Sequence, residues 1–556
     1  MALKLVIPPI AEHPDPKVEI RPVYVEEWIE ALPLASPAVF VSKLGEALTA
    51  LNRTPVKPAT RFTLLEHYLH PYQFLLERQE KHDAIQSSAA FEKQRMETDA
   101  TRNVAVELAY GYKIVLAESL GKKKLWGDDK HVVVSLQRAM LCLGFALVHS
   151  YHEYMPTPQD LWKELSELHR YATERGIAGK GTPHAGLREE FGLSPEHICK
   201  RAMLCSLSDP NHLGYGEIWD VFRILGRCAG LAAISPYRKV DKPAGYFVVD
   251  PGSDHRPTPY TLVASDAPDS TTKLVDLNPV LATLKKMHAK ARQAVDSGTT
   301  DGDSPTLLAR LIRSIELPPE RHTPRDSTEG RVNIAAGIST LHYFLGANLS
   351  DTVTDMRRQP ELPGWDADGD AVAGPSPDEE DIELGLPEDQ PPPAAVTSHT
   401  YNAEYWDLVN QGPGGIGIIK HIRPNNAIRV GEIIGLQLGG GSDDEWAVGV
   451  VRWLSVAKAG EYQAGVQLIA NNVEAVGVHA AAEKGGERVR SALALPSLTG
   501  EKGSTLLAPC GVLRPDTTVT VETKIRPLQV RADTLIESTG VYDRFSYRLE
   551  KDVASG

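Results

Sequence analysis

Two hydrophobic periodicities divide this chain. From Arg61 to about Leu231 apolar residues recur every three or four positions, the period of a helix with one buried face. Leu64, Leu65, Tyr68, Leu69, Tyr72, Leu75 and Leu76 form one such face, and Pro71 predicts a kink in it. Val104, Leu108, Tyr112, Val115 and Leu116 form a second. Val132–Tyr151 is a strongly apolar third, and its longest unbroken run, Ala139–Val148, is half the length a bilayer needs, so it reads as a core helix. Thr157-Pro158-Gln159-Asp160 reads as a helix start, with Trp162, Leu165, Leu168 and Tyr171 following at three-residue spacing. Two more helices fit Pro195–Leu207 and Gly216–Leu231. Residues 1–58 are proline-rich and predict one short helix, Val39–Leu51. Such pairs of helices joined by short turns predict a bundle or a solenoid-like array.

Near Gly245–Asp250 the pattern changes to strand, and Tyr260–Val263 reads as another. Leu277–Val295 and Leu307–Ile315 are helical, and Arg331–Ala335 is a strand. From Tyr401 onward the chain shows short apolar alternations bounded by Gly, Pro and Asn, the signature of β structure. A second β unit runs from about Leu493 to Leu549, with strands at Val519–Val521, Arg526–Ile536 and Phe545–Tyr547. The fold class predicted is α+β multidomain: a helical N-terminal region, then a β region, then a further small C-terminal β unit.

Charge sharpens one boundary. The formal net charge is −14, but residues 351–400 hold 13 Asp/Glu against two Lys/Arg, leaving only −3 for the other 506 residues. The segment also holds eight prolines and the run Asp378-Glu379-Glu380-Asp381, a composition that predicts a disordered insertion or linker. Near-neutral folded parts argue against general DNA or RNA binding, which needs a basic footprint. The five cysteines are widely spaced with no CxxC, as expected of reduced thiols in a cytoplasmic protein. The N-terminus is too short and proline-broken for a signal peptide, and no membrane span is expected.

One motif carries chemistry. The segment Trp406-Asp407-Leu408-Val409-Asn410-Gln411-Gly412-Pro413-Gly414-Gly415-Ile416-Gly417 sets a glycine-rich turn between strands. Val448-Gly449-Val450-Val451-Arg452-Trp453 and Tyr462-Gln463-Ala464-Gly465-Val466-Gln467-Leu468-Ile469 follow. Together these resemble the core strands of a PilZ domain, the small β-barrel with which bacteria bind the second messenger cyclic di-GMP. The resemblance implies two ligand motifs. The (Asp/Asn)-x-Ser-x-x-Gly turn falls on Asn410-x-Gly412-x-x-Gly415, with glycine where the family has serine. The Arg-xxx-Arg stretch falls on Arg321-His322-Thr323-Pro324-Arg325, just ahead of the strand Arg331–Ala335. The chemistry suits a dianion with guanine acceptor edges, because arginine's fork matches phosphate and guanine alike and glycine lets backbone approach a ligand. Trp453 is expected in the barrel core and Arg452 on the surface.

The domains expected are therefore residues 1–235 helical, 236–320 mixed α/β, 321–350 the first part of a PilZ-like domain, 351–400 the acidic insertion, 401–480 the PilZ-like barrel, and 481–556 a C-terminal β unit. The function implied is a cyclic di-GMP effector whose helical region engages a protein partner. The alternative is a degenerate PilZ-fold scaffold that binds protein only. No catalytic group, metal or cofactor is expected. Asp366-x-Asp368-Gly369-Asp370 lacks the spacing of a calcium loop. His149-x-x-His152-Glu153 lacks that of a zinc protease, and His197 with Cys199 and Cys205 lacks a fourth zinc ligand.

Overall fold

The computed structural model describes residues 3–81, 88–120, 130–184, 186–263, 271–297, 302–316, 326–346, 401–424, 428–438, 446–457, 459–471, 473–481, 487–495 and 504–552. By packing, the chain forms two compact units. Residues 1–332, 405–432 and 449–468 make one, and residues 333–404, 433–448 and 469–556 the other.

The helical region comprises α1 (Pro22–Glu30), α2 (Pro37–Arg53), α3 (Pro58–Glu80), α4 (Ser88–Leu120), α5 (Lys130–His152), α6 (Leu161–Glu174), α7 (Pro195–Ser206) and α8 (Glu217–Gly226). It is a bundle around α5, which packs against α3, α4, α6, α7 and α8. Every residue from Val133 to His152 is buried, and the run Ala139–Val148 is apolar on every face because the helix is covered all round. It is the one described helix long and apolar enough to cross a bilayer, and the apolar window that qualifies it is 83% buried inside the protein. Helix α1 escapes the periodicity reading. Its proline sits in the first turn, where a missing N–H breaks no helical bond and the fixed φ favours the start.

A four-stranded sheet follows, built from β1 (Ala233–Pro236), β2 (Tyr246–Val249), β3 (Thr258–Pro259) and β4 (Lys273–Asp276) in the order β1-β4-β2-β3. Tyr260–Leu262, expected as strand, is a 3₁₀ turn. The Tyr260 hydroxyl holds the Val240 N–H at 3.2 Å, and its ring stacks on Tyr237 with centroids 5.9 Å apart, so a side-chain anchor replaces the ladder. Helices α9 (Asn278–Asp296) and α10 (Pro305–Glu316) pack on each other.

The first closed barrel contains β5 (Asp326–Ala336), then, after helix α11 (Ile338–Phe344), β6 (Ala403–Gly412), β7 (Gly415–Lys420), β8 (Ile433–Leu438), β9 (Ala447–Val456) and β10 (Tyr462–Ala470). The strand order is β10-β7-β6-β5-β8-β9. Strand β5, which precedes the acidic segment in sequence, thus lies beside β6, which follows it. The second closed barrel contains β11 (Glu474–Ala481), β12 (Glu487–Leu495), β13 (Thr505–Pro509), β14 (Thr518–Glu522), β15 (Pro527–Ser538) and β16 (Tyr542–Asp552). Its order is β11-β12-β13-β16-β15-β14, around Val476, Val478, Leu506, Val530 and Phe545. It opens at Glu474, inside the range 401–480 that the pattern alone assigns to the first barrel. The reason is pairing: β11 bonds β12 from Glu474↔Ala494 to Ala481↔Glu487 and also bonds β14.

Candidate functional site

The site grows from the β6–β7 hairpin. Gly412 pairs with Gly415, leaving Pro413-Gly414 as the two-residue turn. Proline pre-sets φ at the first turn position. A register shift between Leu408 and Asn410 re-aims the strand, as bulges do next to binding sites. It sets Asn410 opposite Gly417. A Cβ on Gly417 would stand 2.7 Å from the Asn410 amide, so the missing side chain is what makes room for Asn410.

The next strand pair repeats the device. Strand β10 pairs with β7 so that Gly465 faces Gly417 and Gln467 faces Gly415. A Cβ on Gly415 would strike the carbonyl of Val466, and one on Gly465 would overlap the Trp453 indole. The indole therefore lies directly on bare backbone. Trp453, expected in the core, is only partly buried. The barrel interior is already filled by neighbours such as Val450 and Leu454, both at most 2% exposed, and the glycine opposite leaves the indole a bed outside it.

Two cavities flank that indole. One, of about 230 Å³, is lined by Gly412, Gly414, Gly415, Arg452, Trp453, Gly465, Val466 and Gln467. The other, of about 400 Å³, is lined by Ser327, Val409, Asn410, Gly417, Ile418, Ile419, Trp453 and Gln463. Together they offer an aromatic face, exposed backbone and a few amide and guanidinium groups, the mixture of apolar wall and sparse polar contacts typical of ligand pockets. Arg452 Nε donates to Gln467 Oε1 at 2.7 Å, which aims the guanidinium along the wall of the smaller cavity.

Of the site residues expected from sequence, the fold gathers Asn410, Gly412 and Gly415 around one tryptophan. Arg321 and Arg325 lie outside the described residues. Sequence reading missed Gly417, Ser327, Gln463 and Gln467, and took Gly465 for a core position. Two strands that each carry glycine near the motif were the available signal, but only cross-strand register shows that the glycines face each other. Among the described residues no group of three His, Cys, Asp or Glu side chains could hold a metal ion. His149 and His152 are instead buried at the end of α5, where the His149 ring meets Trp219 edge-on at 5.0 Å, and burial pushes His149 well below the usual histidine range.

Three family models match the chain in succession. They are the N-terminal domain of the cyclic-di-GMP receptor FimW over residues 24–239, its middle PilZ domain over 246–363 and 375–474, and its C-terminal β-barrel domain over 476–550. The cyclic-di-GMP receptor FimW of Pseudomonas aeruginosa is 25% identical over 566 aligned residues, covering 96% of this chain and 91% of that protein. No solved structure matches.

Proposed function

The chain belongs to the PilZ-domain family, and on that premise we propose that it is a cyclic di-GMP receptor, with the nucleotide seated against Trp453. The observation that carries this reading is the half-buried indole lying on Gly465 between two cavities, with the Asn410–Gly415 turn alongside. One guanine stacks on the indole, as bases do on aromatic platforms. Asn410 offers an amide to a guanine edge. The backbone around Gly414 and Gly415 approaches the sugar-phosphate ring, and Arg452 faces its charge.

Arg321 and Arg325 supply the remaining cations. Strand β5 begins at Asp326, and Ser327 lines the larger cavity. Arg325 is two residues away, at most about 7 Å of chain, so an arginine side chain there has the reach. The helical region transmits occupancy to a protein partner, and the protein acts as a receptor without turnover. A cytoplasmic setting agrees with five free thiols, four of them buried.

Calorimetric titration of the full chain with cyclic di-GMP tests this, beside Trp453→Ala and the Arg321→Ala, Arg325→Ala double variant. Binding lost or weakened at least tenfold in both variants is the expected result. Saturable binding that both variants retain would place the ligand elsewhere. No heat for the wild type would favour the protein-only scaffold, which the glycine at position 412 supports because it removes a hydroxyl partner.

A further inference from the structure

Helix α5 ends in a conformation that its sequence resists. Tyr154 has φ 55°, in the left-handed region. The Met155 N–H bonds the Ser150 carbonyl at 2.8 Å and the Tyr154 N–H bonds the Tyr151 carbonyl at 3.2 Å, the paired bonds of a Schellman stop. Glycine is the usual occupant of that slot, since a Cβ there crowds the following carbonyl. A bulky residue holds such a geometry only where its surroundings over-determine it, and these places cluster at working parts of proteins.

The surroundings of Tyr154 hold it on several sides. The Tyr154 carbonyl accepts from the Val456 N–H at 2.9 Å. Its hydroxyl donates to the Leu213 carbonyl at 3.0 Å and receives the Val430 N–H at 3.4 Å. One residue thus ties the end of α5 to the last residue of β9 and to the loop ahead of β8.

A second tie lies nearby. Arg95, on α4, donates to the Tyr462 hydroxyl at 2.6 Å, and its guanidinium carbon stands 5.5 Å from that ring's centroid. Its Nε is 3.6 Å from one oxygen of the Glu153 carboxyl group, whose other oxygen accepts from the Tyr215 hydroxyl at 3.0 Å. Arg95 is therefore held from inside the bundle and bonds outward.

Both ties meet one hairpin at its turn. Val456 is the last residue of β9 and Tyr462 the first of β10. Trp453 lies three residues before the one and Gly465 three after the other, about 10 Å along each strand. We propose that Tyr154 and Arg95 are positioning residues that couple the helical bundle to the cavities through the β9–β10 hairpin. Holding the turn sets how Trp453 lies on Gly465, and a nucleotide seated there tightens the bundle's hold. This rests on the cyclic di-GMP reading above. Coupling of this kind is reciprocal, so each side shifts the other by the same factor.

The test combines hydrogen–deuterium exchange and calorimetric titration with cyclic di-GMP on the full chain, comparing wild type with Tyr462→Phe, Arg95→Met, Arg95→Lys and Tyr154→Gly. Without ligand, Tyr462→Phe, Arg95→Met and Tyr154→Gly should speed amide exchange across residues 450–467. With ligand, wild type should gain protection at the end of α5 and around Arg95, while those three variants lose that gain and bind about fivefold or more weakly. Arg95→Lys, which keeps the charge, should recover part of the affinity. Tyr462→Phe removes a single oxygen and decides the matter if another variant does not fold. Wild-type affinity and exchange in Tyr462→Phe would overturn the coupling while leaving the receptor reading intact. If wild type binds no cyclic di-GMP, the receptor reading falls, and ligand-free exchange alone decides whether the ties position the hairpin: unchanged exchange overturns it.

Discussion

At the scale of single residues, three glycines shape the site by what they leave out. Gly415, Gly417 and Gly465 each stand where a Cβ would meet a carbonyl, the Asn410 amide or the Trp453 indole. Gly465→Ala should displace the indole and destabilise the chain by about 1–3 kcal/mol, the ordinary range for overpacking. A shift in tryptophan emission together with a lower urea midpoint would register it. Gly414→Ala is the matched control. A Cβ there meets nothing within 4 Å, so the change should stay within about 0.5 kcal/mol. Position 412 allows the opposite experiment. Gly412→Ser restores the hydroxyl of the family turn and should tighten cyclic di-GMP about three- to tenfold, the worth of one hydrogen bond. Equal affinity would mean that the hydroxyl has no partner in this pocket. Asn410, Gly412 and Gly415 could be grouped from sequence because they are neighbours along one turn. Trp453 was misjudged because alternation along β9 cannot show that the residue opposite is a glycine.

At the scale of elements, the end of α5 carries a titratable group that the bundle keeps uncharged. Burial raises Glu153 from the usual carboxylate range to about 8, outweighing the opposing pull of Arg95. In the unfolded chain the same carboxyl titrates near 4.5. Between those values the folded state holds a proton that the unfolded state has lost, so this group's contribution to stability falls as pH rises from about 4.5 to about 8, then levels off. Glu153→Gln should therefore gain stability relative to wild type across that window. Urea unfolding at pH 5, 6.5 and 8.5 measures it, and a difference that does not change with pH would contradict the assignment. The elements themselves were mostly legible. Helices with a periodic apolar face announced themselves, whereas α1 hid behind its own proline and Tyr260–Leu262 mimicked a strand because its β-favouring residues, Tyr, Thr and Leu, say nothing about pairing.

At the scale of the whole molecule, charge is concentrated between two strands that lie side by side. The segment 351–400 has a balance of −11 and separates β5 from β6 in sequence, yet those strands are neighbours in the barrel. A tract with this balance competes with cyclic di-GMP if it reaches the cations proposed for the ligand. Deleting residues 355–395 should tighten cyclic di-GMP binding, and the advantage should shrink as salt screens the competition. Titrations at low and high ionic strength compare the two chains; identical affinities at low salt would remove the idea.

The sequence by itself determined the order of parts: a helical region, an acidic interruption, then barrel strands bearing a recognisable turn. Those features follow from local periodicity and composition, and hydrophobic burial forces the chain to honour them. Only the tertiary structure decided which strands are neighbours, where one barrel ends and the next begins, and that Trp453 lies outward on Gly465. It also decided that Tyr154 takes a glycine's conformation. Each of these depends on pairing between residues distant in sequence, and the energy of such a contact belongs to both partners, so neither segment alone can express it.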